Sequence, residues 1–450
     1  MVQYSNYIAI LQQKRRTCKV EKVIINFEGK NLTGNSGIIP IAQFAEKLKV
    51  EEILRTELSI KHKHNSKYSV IEIIMITMFG VIAGAKHISQ LGIIRHDHVI
   101  MKLLNWGIFP AFNTISRLFK RFNQKHNVEF SNAQSQLRQK VWDKKAQSNV
   151  TIDIDSTVRG VYGKQEGTEK GFNSKKKGQR SYHPLLAFIA ETKECLHSWF
   201  RSGSAYTSNN CAEFLKECFA LMPKQIKEVL IRADSGFFCD DILSFAEEAE
   251  GVKASYLIKV KMKNLVSLLQ GKDWKVDTKN SSISTTTFKH KCSSWGKSRT
   301  FVAVRILVGV ESEGLFFPIP QYEYFCYVTN LEISPIKAHA LYGERATSEN
   351  WIEWCKNHMA AGSFLTQKFW ANAAVFQTCI LAYNLLTWMR LLTSEAAWRE
   401  EPNTFRGWFI NAPGRLIRTS KRWFLKLPEN YFWQSQWEEI LRNIHLLRFA

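Results

Sequence analysis

The sequence predicts a mixed α/β fold that follows a helical region and contains a β-rich insertion. Three patterns predict this organisation. Apolar residues recur at helical spacing from about Ile41 to Ala146. Strand-like and helical segments then alternate from Asn149 to Val260, as in layered α/β folds. Between Met262 and Asn330 helical spacing disappears and Thr, Val, Phe and Tyr are enriched, which is typical of strands.

The helical region contains a basic amphipathic helix, predicted from Asn113 to Lys125. Arg117 and Arg121 lie beside its apolar stripe. A shorter helix, Val99 to Leu104, and a turn precede it, so it can be the second helix of a helix-turn-helix unit. A solvated basic face on a bundle helix explains the same pattern equally well.

The α/β region begins with a strand from Val150 to Asp155, whose period-two alternation places its apolar residues on one face. The further segments predicted in the chain are strands at Leu185–Ala190, Cys195–Arg201, Glu228–Arg232 and Ser255–Val260, helices at Asn209–Leu221 and Cys239–Ala249, insertion strands at Ser281–Phe288, Thr300–Val308 and Tyr322–Thr329, helical structure from Pro335 to Arg390, a basic hairpin at Arg415–Leu427 and a last helix near Phe432–Leu447.

Composition points to a polyanionic partner. The 450 residues include 62 Lys and Arg against 40 Asp and Glu, which gives a formal net charge of +22. Such a surplus is most often found in nucleic-acid-binding proteins. The nine cysteines contain no C-x-x-C pair, so we expect free thiols in a reducing cytoplasm rather than a zinc site.

Two apolar runs are predicted to be buried helices rather than membrane spans. Val70 to Gly84 is too short to span a bilayer, and Phe369 to Met389 is interrupted by polar residues. Met1 to Lys30 lacks the apolar region of a signal peptide. We therefore expect no membrane partner.

Two acidic motifs follow predicted strands. Asp153 and Asp155 lie on the same face at the end of the first strand, where paired carboxylates can hold a hard cation. Asp234 follows the apolar strand that ends at Arg232, a position where α/β sheets build sites. Each motif has an ordinary alternative: solvated acids in the first case, and a cap for the helix near Cys239 in the second.

A third motif is more specific. Tyr342, Arg345, Glu349 and Lys356 are separated by three, four and seven residues, so one continuous helix would present all four on one face. An exposed ion-paired helix would explain Arg345 and Glu349, but not the tyrosine and the lysine.

These residues resemble the DDE transposases of bacterial insertion sequences, in the branch with the Y-x2-R-x3-E-x6-K signature. Within the insertion-sequence four-like superfamily, the sequence is most similar to the insertion-sequence thirteen-eighty group. The resemblance covers about Leu32 to Leu427. Its supporting motifs are Asp153-Ile-Asp-Ser-Thr157, Gly163-Lys-Gln-Glu-Gly167, Arg232-Ala-Asp-Ser-Gly-Phe237 and Val328-Thr-Asn330.

The resemblance implies a ribonuclease H-like core with a β-strand insertion between the second and third acids. It implies that Asp155, Asp234 and Glu349 are catalytic and hold two Mg²⁺ ions, for which Mn²⁺ can substitute. Asp153 competes with Asp155 for this assignment, but the D-[ST]-T pattern of the branch favours Asp155. Two metal ions can activate the nucleophile and neutralise the leaving oxygen of a phosphodiester.

Other residues are implied to contact DNA. Arg345 and Lys356 would clamp phosphates near the scissile bond, and Tyr342 would contact a phosphate near the cleaved end. Many members of the family also stack a flipped base on an aromatic residue of the insertion. The candidates here are Trp295, Tyr322 and Tyr324.

The implied organisation has five regions: a helical DNA-binding region (1–147), the two parts of the core (148–261 and 332–394), the insertion (262–331) and a basic C-terminal region (395–450). The implied activity is cut-and-paste transposition by a homodimer that binds terminal inverted repeats and target DNA in the bacterial nucleoid. A catalytically inactive DNA-binding descendant and a structure-selective nuclease without strand transfer are the alternatives.

Overall fold

The computed structural model describes residues 25–61, 66–171, 176, 178–205, 210–311, 319–363, 366–420 and 422–449. Most of the Met1 to Lys30 segment lies outside the described residues. The eight cysteines within them are all free, as predicted, and Cys18 lies outside.

The described part is a mixed α/β structure, which confirms the predicted fold class. Its strands are β1 (Leu32–Thr33), β2 (Asn149–Ser156), β3 (Arg159–Gly160), β4 (Glu169–Lys170), β5 (Arg180–Tyr182), β6 (Leu185–Ile189), β7 (Glu194–Trp199), β8 (Glu228–Ala233), β9 (Lys253–Lys259), β10 (Lys275–Val276), β11 (Ile283–His290), β12 (Arg299–Glu311), β13 (Ile319–Thr329), β14 (Gly414–Thr419) and β15 (Arg422–Lys426).

Its helices are α1 (Ile38–Lys47), α2 (Val50–Glu57), α3 (Val70–Ile82), α4 (Gly92–Arg95), α5 (His98–Leu103), α6 (Phe112–Phe119), α7 (Gln124–Trp142), α8 (Cys211–Leu221), α9 (Asp240–Glu247), α10 (Leu265–Gln270), α11 (Pro335–Gly343), α12 (Ala346–Glu353), α13 (Phe369–Thr393), α14 (Glu395–Arg399), α15 (Pro402–Phe405) and α16 (Gln434–Leu446). Short 3₁₀ turns form at Ile88–Leu91 and Ser235–Phe237, and π-helical turns at Trp354–His358 and Arg406–Ile410.

One large mixed sheet carries the candidate site. Its strand order is β10-β11-β12-β13-β9-β8-β2-β6-β7, and β2, β8 and β9 run parallel to one another at its centre. Every residue of β6 is buried, as expected for a strand covered on both faces. The predicted insertion strands do not form a separate sheet, because β13 pairs with β9 and so extends the central one.

A long helix passes through the interior. By length and composition α13 could cross a membrane, but 89% of its most apolar window is buried inside the protein. It contacts α3, α7, β7 and α16, so its apolar residues are in contact with protein on all sides. The prediction of a buried helix is confirmed here, and α3 is likewise buried over most of its length.

A buried carboxylate joins the helical layer to the sheet. Glu194, at the start of β7, is fully buried and accepts hydrogen bonds from Arg138 and Trp142 of α7, from Thr192, and from Trp388 of α13. Four donors offset the cost of removing this charge from water. The carboxylate therefore ties the N-terminal helices, the sheet and the long helix together.

The predicted basic helix ends earlier than expected. The segment predicted from Asn113 to Lys125 is α6, which ends at Phe119, and a four-residue turn precedes α7. Asn123 caps α7 through its side chain and so starts a second helix within the predicted one. The connection from α5 to α6 spans 104–111, longer than the three or four residues of a helix-turn-helix, which favours the bundle interpretation.

Candidate active site

The first two candidate acids end neighbouring parallel strands. In the register of β2 and β8, Ile154 lies opposite Ala233, so the next residues, Asp155 and Asp234, leave the same edge of the sheet side by side. This edge, at the carboxyl ends of the central strands, is where open α/β sheets form sites.

Asp153 has a structural partner. Its carboxylate and Arg232 of β8 form a two-pronged ion pair at 2.8 and 2.9 Å, and both side chains are almost fully buried. Arg232 also donates to the carbonyl oxygen of Leu341 and to Glu344, at 2.7 and 3.1 Å. Asp153 therefore cross-links β2, β8 and the end of α11, and its oxygens are already used. Asp155, by contrast, lies beyond this buried pair, at the edge of the sheet next to Asp234.

Asp155 lies at the exposed end of the strand and pairs with Arg345. The guanidinium lies 2.9 Å from the carboxylate and also donates to the carbonyl oxygen of Ile154. Burial raises the pKa of Asp155 to about 6, while the Arg345 cation opposes the rise and the negative charge of Asp234 adds to it. The carboxylates of Asp155 and Asp234 are thus close enough to repel each other. The Arg345 cation lies between the end of β2 and the helices.

Asp234 also shapes its own loop. Its carboxylate accepts from the backbone N–H of Gly236 at 2.9 Å and caps the 3₁₀ turn that follows β8. The alternative predicted from the sequence placed this cap on the helix near Cys239. That helix, α9, starts at Asp240 without a side-chain cap.

The predicted single stripe of four residues is wrong in its geometry. The helix breaks between α11 and α12, where the N–H of Arg345 bonds to the carbonyl of Tyr342, and it widens into a π-turn at Trp354–His358. Tyr342 therefore lies on α11, Glu349 on the exposed first turn of α12, and Lys356 in the π-turn. Each break changes the rotation per residue. Spacings of three, four and seven residues therefore no longer place the side chains on one face of a single helix.

The π-turn directs Lys356 to the end of β2. Its ammonium donates to the hydroxyl of Thr157 at 3.0 Å and to the carbonyl of Val158 at 3.4 Å. Arg345 and Lys356 thus both bind the segment that starts at Ile154, from different turns of the helical stretch. Arg345 and Lys356 therefore lie near Asp155 because of tertiary contacts, which the spacing of the motif does not predict.

The negative charges of all three candidate acids act on the hydroxyl of Tyr342. Its ring packs on Tyr327, with centroids 4.7 Å apart. Burial raises its pKa to about 12; Arg345 opposes the rise, and the charges of Asp234, Asp155 and Glu349 add to it. The charges of the three carboxylates thus all act on this phenol. Among the described residues, however, no three His, Cys, Asp or Glu side chains are close enough together to form a ready metal cluster.

A match to a protein-family model identifies the family of this chain. The model described as "Transposase DDE domain group 1" matches residues 15–449, nearly the whole chain. The chain belongs to the transposase DDE domain family. No curated protein in the comparison matches this transposase-family chain.

Solved structures show more distant similarity. A piggyBac transposase synaptic complex with hairpin DNA is 12% identical, with a TM-score of 0.44 over 82% of this chain and 78% of its own. A Mos1 transposase paired-end complex with the left transposon end is 8% identical, with a TM-score of 0.18 over 44% of this chain and 60% of its own. A second Mos1 mariner complex, with Mn, is 11% identical, with a TM-score of 0.16 over 44% and 61%.

Among the aromatic candidates of this transposase-family chain, Trp295 is not available to a ligand. Its side chain is 5% exposed and packs on Phe238 and Phe301, with the Arg299 cation over its ring. The ring fills the core beneath the insertion, which does not support the predicted contact with DNA, and that role stays a prediction. The burial arises from neighbours that are distant in sequence, which composition alone does not reveal.

The other two aromatic candidates are half-buried on β13. The Arg305 guanidinium lies between the rings of Tyr322 and Trp274, at 4.3 and 4.7 Å from their centroids, and Trp274 contacts Tyr324. Sequence reasoning missed Arg305 and Trp274. Trp274 lies outside every predicted strand, so the sequence contains no sign that it lies beside Arg305.

Arg117 and Arg121 lie in the helical layer. Arg117 is exposed on α6 and bonds within its own helix, to Asn113 and Thr114. Arg121 lies in the turn before α7 and donates to the carbonyl of Lys61. Arg117 is exposed and Arg121 is half-buried, and their role in DNA binding stays a prediction.

Proposed function

We propose that the chain is the cut-and-paste transposase of a bacterial insertion sequence, of the branch with the Y-R-E-K signature and closest to the insertion-sequence thirteen-eighty group. It would bind terminal inverted repeats, cleave DNA and join the ends to a target. The observation that carries the proposal is the side-by-side placement of Asp155 and Asp234 at the parallel strand ends, with Arg345 and Lys356 bound to the same edge.

The fold supports a ribonuclease H-like interpretation of the catalytic core. The antiparallel strands β2, β6 and β7 follow one another, and the parallel strands β8 and β9 lie on the other side of β2. In this interpretation β10 to β13 are the insertion, and α11 and α12 bring the third acid back to the edge of β2 and β8. The helical region before β2 and the C-terminal region would bind the transposon ends.

The donor set fits Mg²⁺, or Mn²⁺ in its place. Asp155, Asp234 and Glu349 offer only hard carboxylate oxygens, which these ions prefer, and no histidine or cysteine ligand is implied. Two such ions, when bound, would supply charge neutralisation and an activated oxygen nucleophile for in-line displacement at phosphorus. Asp155 and Asp234 would hold the ions at the strand ends, and Glu349 would complete the set from α12.

The chain's own cations would orient the DNA. Arg345 is buried and held by Asp155 and the Ile154 carbonyl, and its planar guanidinium would bind a phosphate that enters at this edge of the sheet. Lys356, held at Thr157, adds a point charge on the other side of the strand end. Tyr342 would donate a hydrogen bond from its hydroxyl to a phosphate oxygen, since a phenol is protonated at neutral pH and burial raises the pKa of this one further.

The partners proposed are double-stranded DNA, as terminal inverted repeats and as target, and a second copy of the chain in the synaptic complex. The place of action would be the nucleoid in a bacterial cytoplasm. The charge surplus of +22 supports a DNA partner, since phosphate neutralisation dominates such affinities.

The test measures cleavage of a DNA duplex. This duplex contains one end of the element together with the DNA that flanks the coding region. Asp155→Ala, Asp234→Ala and Glu349→Ala should each abolish Mg²⁺-dependent cleavage while duplex binding is largely retained. Two exposed acids serve as matched controls: Glu353→Ala on α12 and Glu228→Ala at the far end of β8 should cleave normally. Cleavage by any of the three site variants would remove that acid from the assignment.

A strand-transfer assay on the same protein separates the alternatives. Cut ends joined to a target plasmid support transposition. Cleavage without joining would favour a structure-selective nuclease, and binding without cleavage would favour an inactive DNA-binding descendant.

A further inference from the structure

A second surface, formed by β14 and β15, is separate from the acids. We call these two strands, Gly414–Thr419 and Arg422–Lys426, the basic ribbon. They pair antiparallel, with Arg415 opposite Lys426 and Thr419 opposite Arg422. Strand β1 pairs with the other edge of β14, so β15 is the free edge of a three-stranded sheet.

The two faces of the basic ribbon differ. One face contains Leu416, which is buried. Because side chains alternate along a strand, the opposite face presents Arg415, Arg422 and Lys426 around Phe424, whose side chain is 45% exposed. All three cations are exposed. An apolar ring surrounded by cations is therefore turned outward.

Hydrogen bonds and a cation–π contact hold the basic ribbon against the helical layer. Asp97 caps α5 and also accepts hydrogen bonds from Thr33 of β1 and from Asn35, so the helix is tied to the strand beside the ribbon. At the other end of α5, the ammonium of Lys102 lies 4.3 Å from the ring centroid of Trp423 on β15. These contacts fix the orientation of the ribbon without using its outward cations.

The charge of the basic ribbon is uncompensated locally. The sequence has no acidic residue between Glu401 and Glu429. None of the ion pairs in the described part of the chain involves a ribbon cation. Cations kept together without acids nearby repel one another, so a polyanion is the complementary partner.

We propose that the basic ribbon enters the major groove of duplex DNA. A two-stranded ribbon, with strands about 4.8 Å apart, fits a groove about 12 Å wide. Arg415, Arg422 and Lys426 contact phosphates along the groove walls, and Phe424 contacts base edges such as thymine methyl groups. The inference rests on the proposed function and adds to it a DNA-binding element outside the catalytic edge.

The test measures binding without cleavage, in EDTA. Affinity is determined by fluorescence anisotropy over a range of salt concentrations, for a duplex copied from the flanking DNA and for a shuffled duplex. The variant R415A/R422A/K426A should bind both more weakly. The slope of log affinity against log salt should fall by roughly 2 to 3, because each phosphate that the protein no longer neutralises lowers it by about 0.9. An unchanged slope overturns the proposal.

The matched control removes three exposed lysines elsewhere, at and after α8, as K216A/K224A/K227A. It changes the net charge equally and should leave the slope near that of the wild type. An equal fall in the control would overturn the proposal, because net charge alone would then explain the effect. Unchanged thermal melting of both variants shows that the fold is intact.

Phe424→Ala tests entry into the groove. It should weaken binding with no change in the salt slope, since it removes no charge. No loss of affinity would overturn groove entry. A ribbon-dependent loss of binding to phosphatidylglycerol vesicles, with duplex binding unchanged, would overturn DNA as the partner. Failure of these binding tests leaves the cleavage tests of Asp155, Asp234 and Glu349 standing, so the two proposals fail separately.

Discussion

Asp153 and Asp155 lie two residues apart on one face of β2, yet they have different surroundings. Asp153 is opposite Arg232 and is closed off by the end of α11, so a buried cation uses both of its oxygens. Asp155 lies where the strand ends, beside another carboxylate and partly open to solvent. The same residue type is therefore structural at one position and available for chemistry at the next.

This difference predicts opposite outcomes for two matched substitutions. Asp153→Asn removes the buried counter-charge of Arg232 and leaves it only the exposed Glu344, so it should lower the free energy of unfolding by about 3–5 kcal/mol. Asp155→Asn also removes the ion pair with Arg345, but burial and the repulsion from Asp234 outweigh that pair and raise the pKa of Asp155, so stability should change little while cleavage is lost. Urea unfolding and the cleavage assay on the same preparations check both. A stable Asp153→Asn protein that fails to cleave would place Asp153 in the site instead.

At the scale of elements, the insertion shares the hydrophobic core of the central sheet. Trp295, before β12, packs on Phe238 and Phe301, and Arg299 pairs with Asp240 and Glu247 of α9. The half-buried rings of β13 have a different setting, with Arg305 stacked between Tyr322 of β13 and Trp274, which precedes β10. Aromatic residues of one insertion thus divide into core residues and surface residues.

The division predicts the effect of removing each kind of ring. Trp295→Ala should destabilise the protein by about 3–5 kcal/mol, as expected when a large buried ring is deleted. Tyr322→Ala should cost about 1 kcal/mol or less, as for a partly exposed residue, and should impair cleavage of end-containing DNA. Thermal unfolding and cleavage rates measured in parallel distinguish the two. Normal stability of Trp295→Ala with slow cleavage would reverse the assignment.

In the whole molecule, the first and last parts of the chain share one core. A single apolar cluster includes residues of α1 to α7 together with residues of α13, α15 and α16. Trp437 of α16 contacts Phe409, and the N–H of Gly37, before α1, bonds to the carbonyl of Ile410. The helical region is therefore completed by segments that follow the elements of the candidate active site in the chain.

This shared core predicts that the fragment 1–147 does not fold by itself. Without α13 and α16, its helices leave a large apolar surface exposed to water. Circular dichroism should show no cooperative thermal transition for the fragment, whereas the full chain melts cooperatively. Dispersed amide resonances and a sharp transition in the isolated fragment would contradict the prediction and define an independent domain.

The sequence by itself determined the fold class, most strands of the sheet and the buried nature of α13, because these depend on local periodicity. It also singled out the acids and the tyrosine-arginine-glutamate-lysine motif through their spacing. Only the tertiary structure decided that Asp153 is bound to Arg232, that the π-turn directs Lys356 to Thr157, and that Trp295 is buried. Each depends on which distant strand or helix lies opposite, and local spacing does not encode that neighbour.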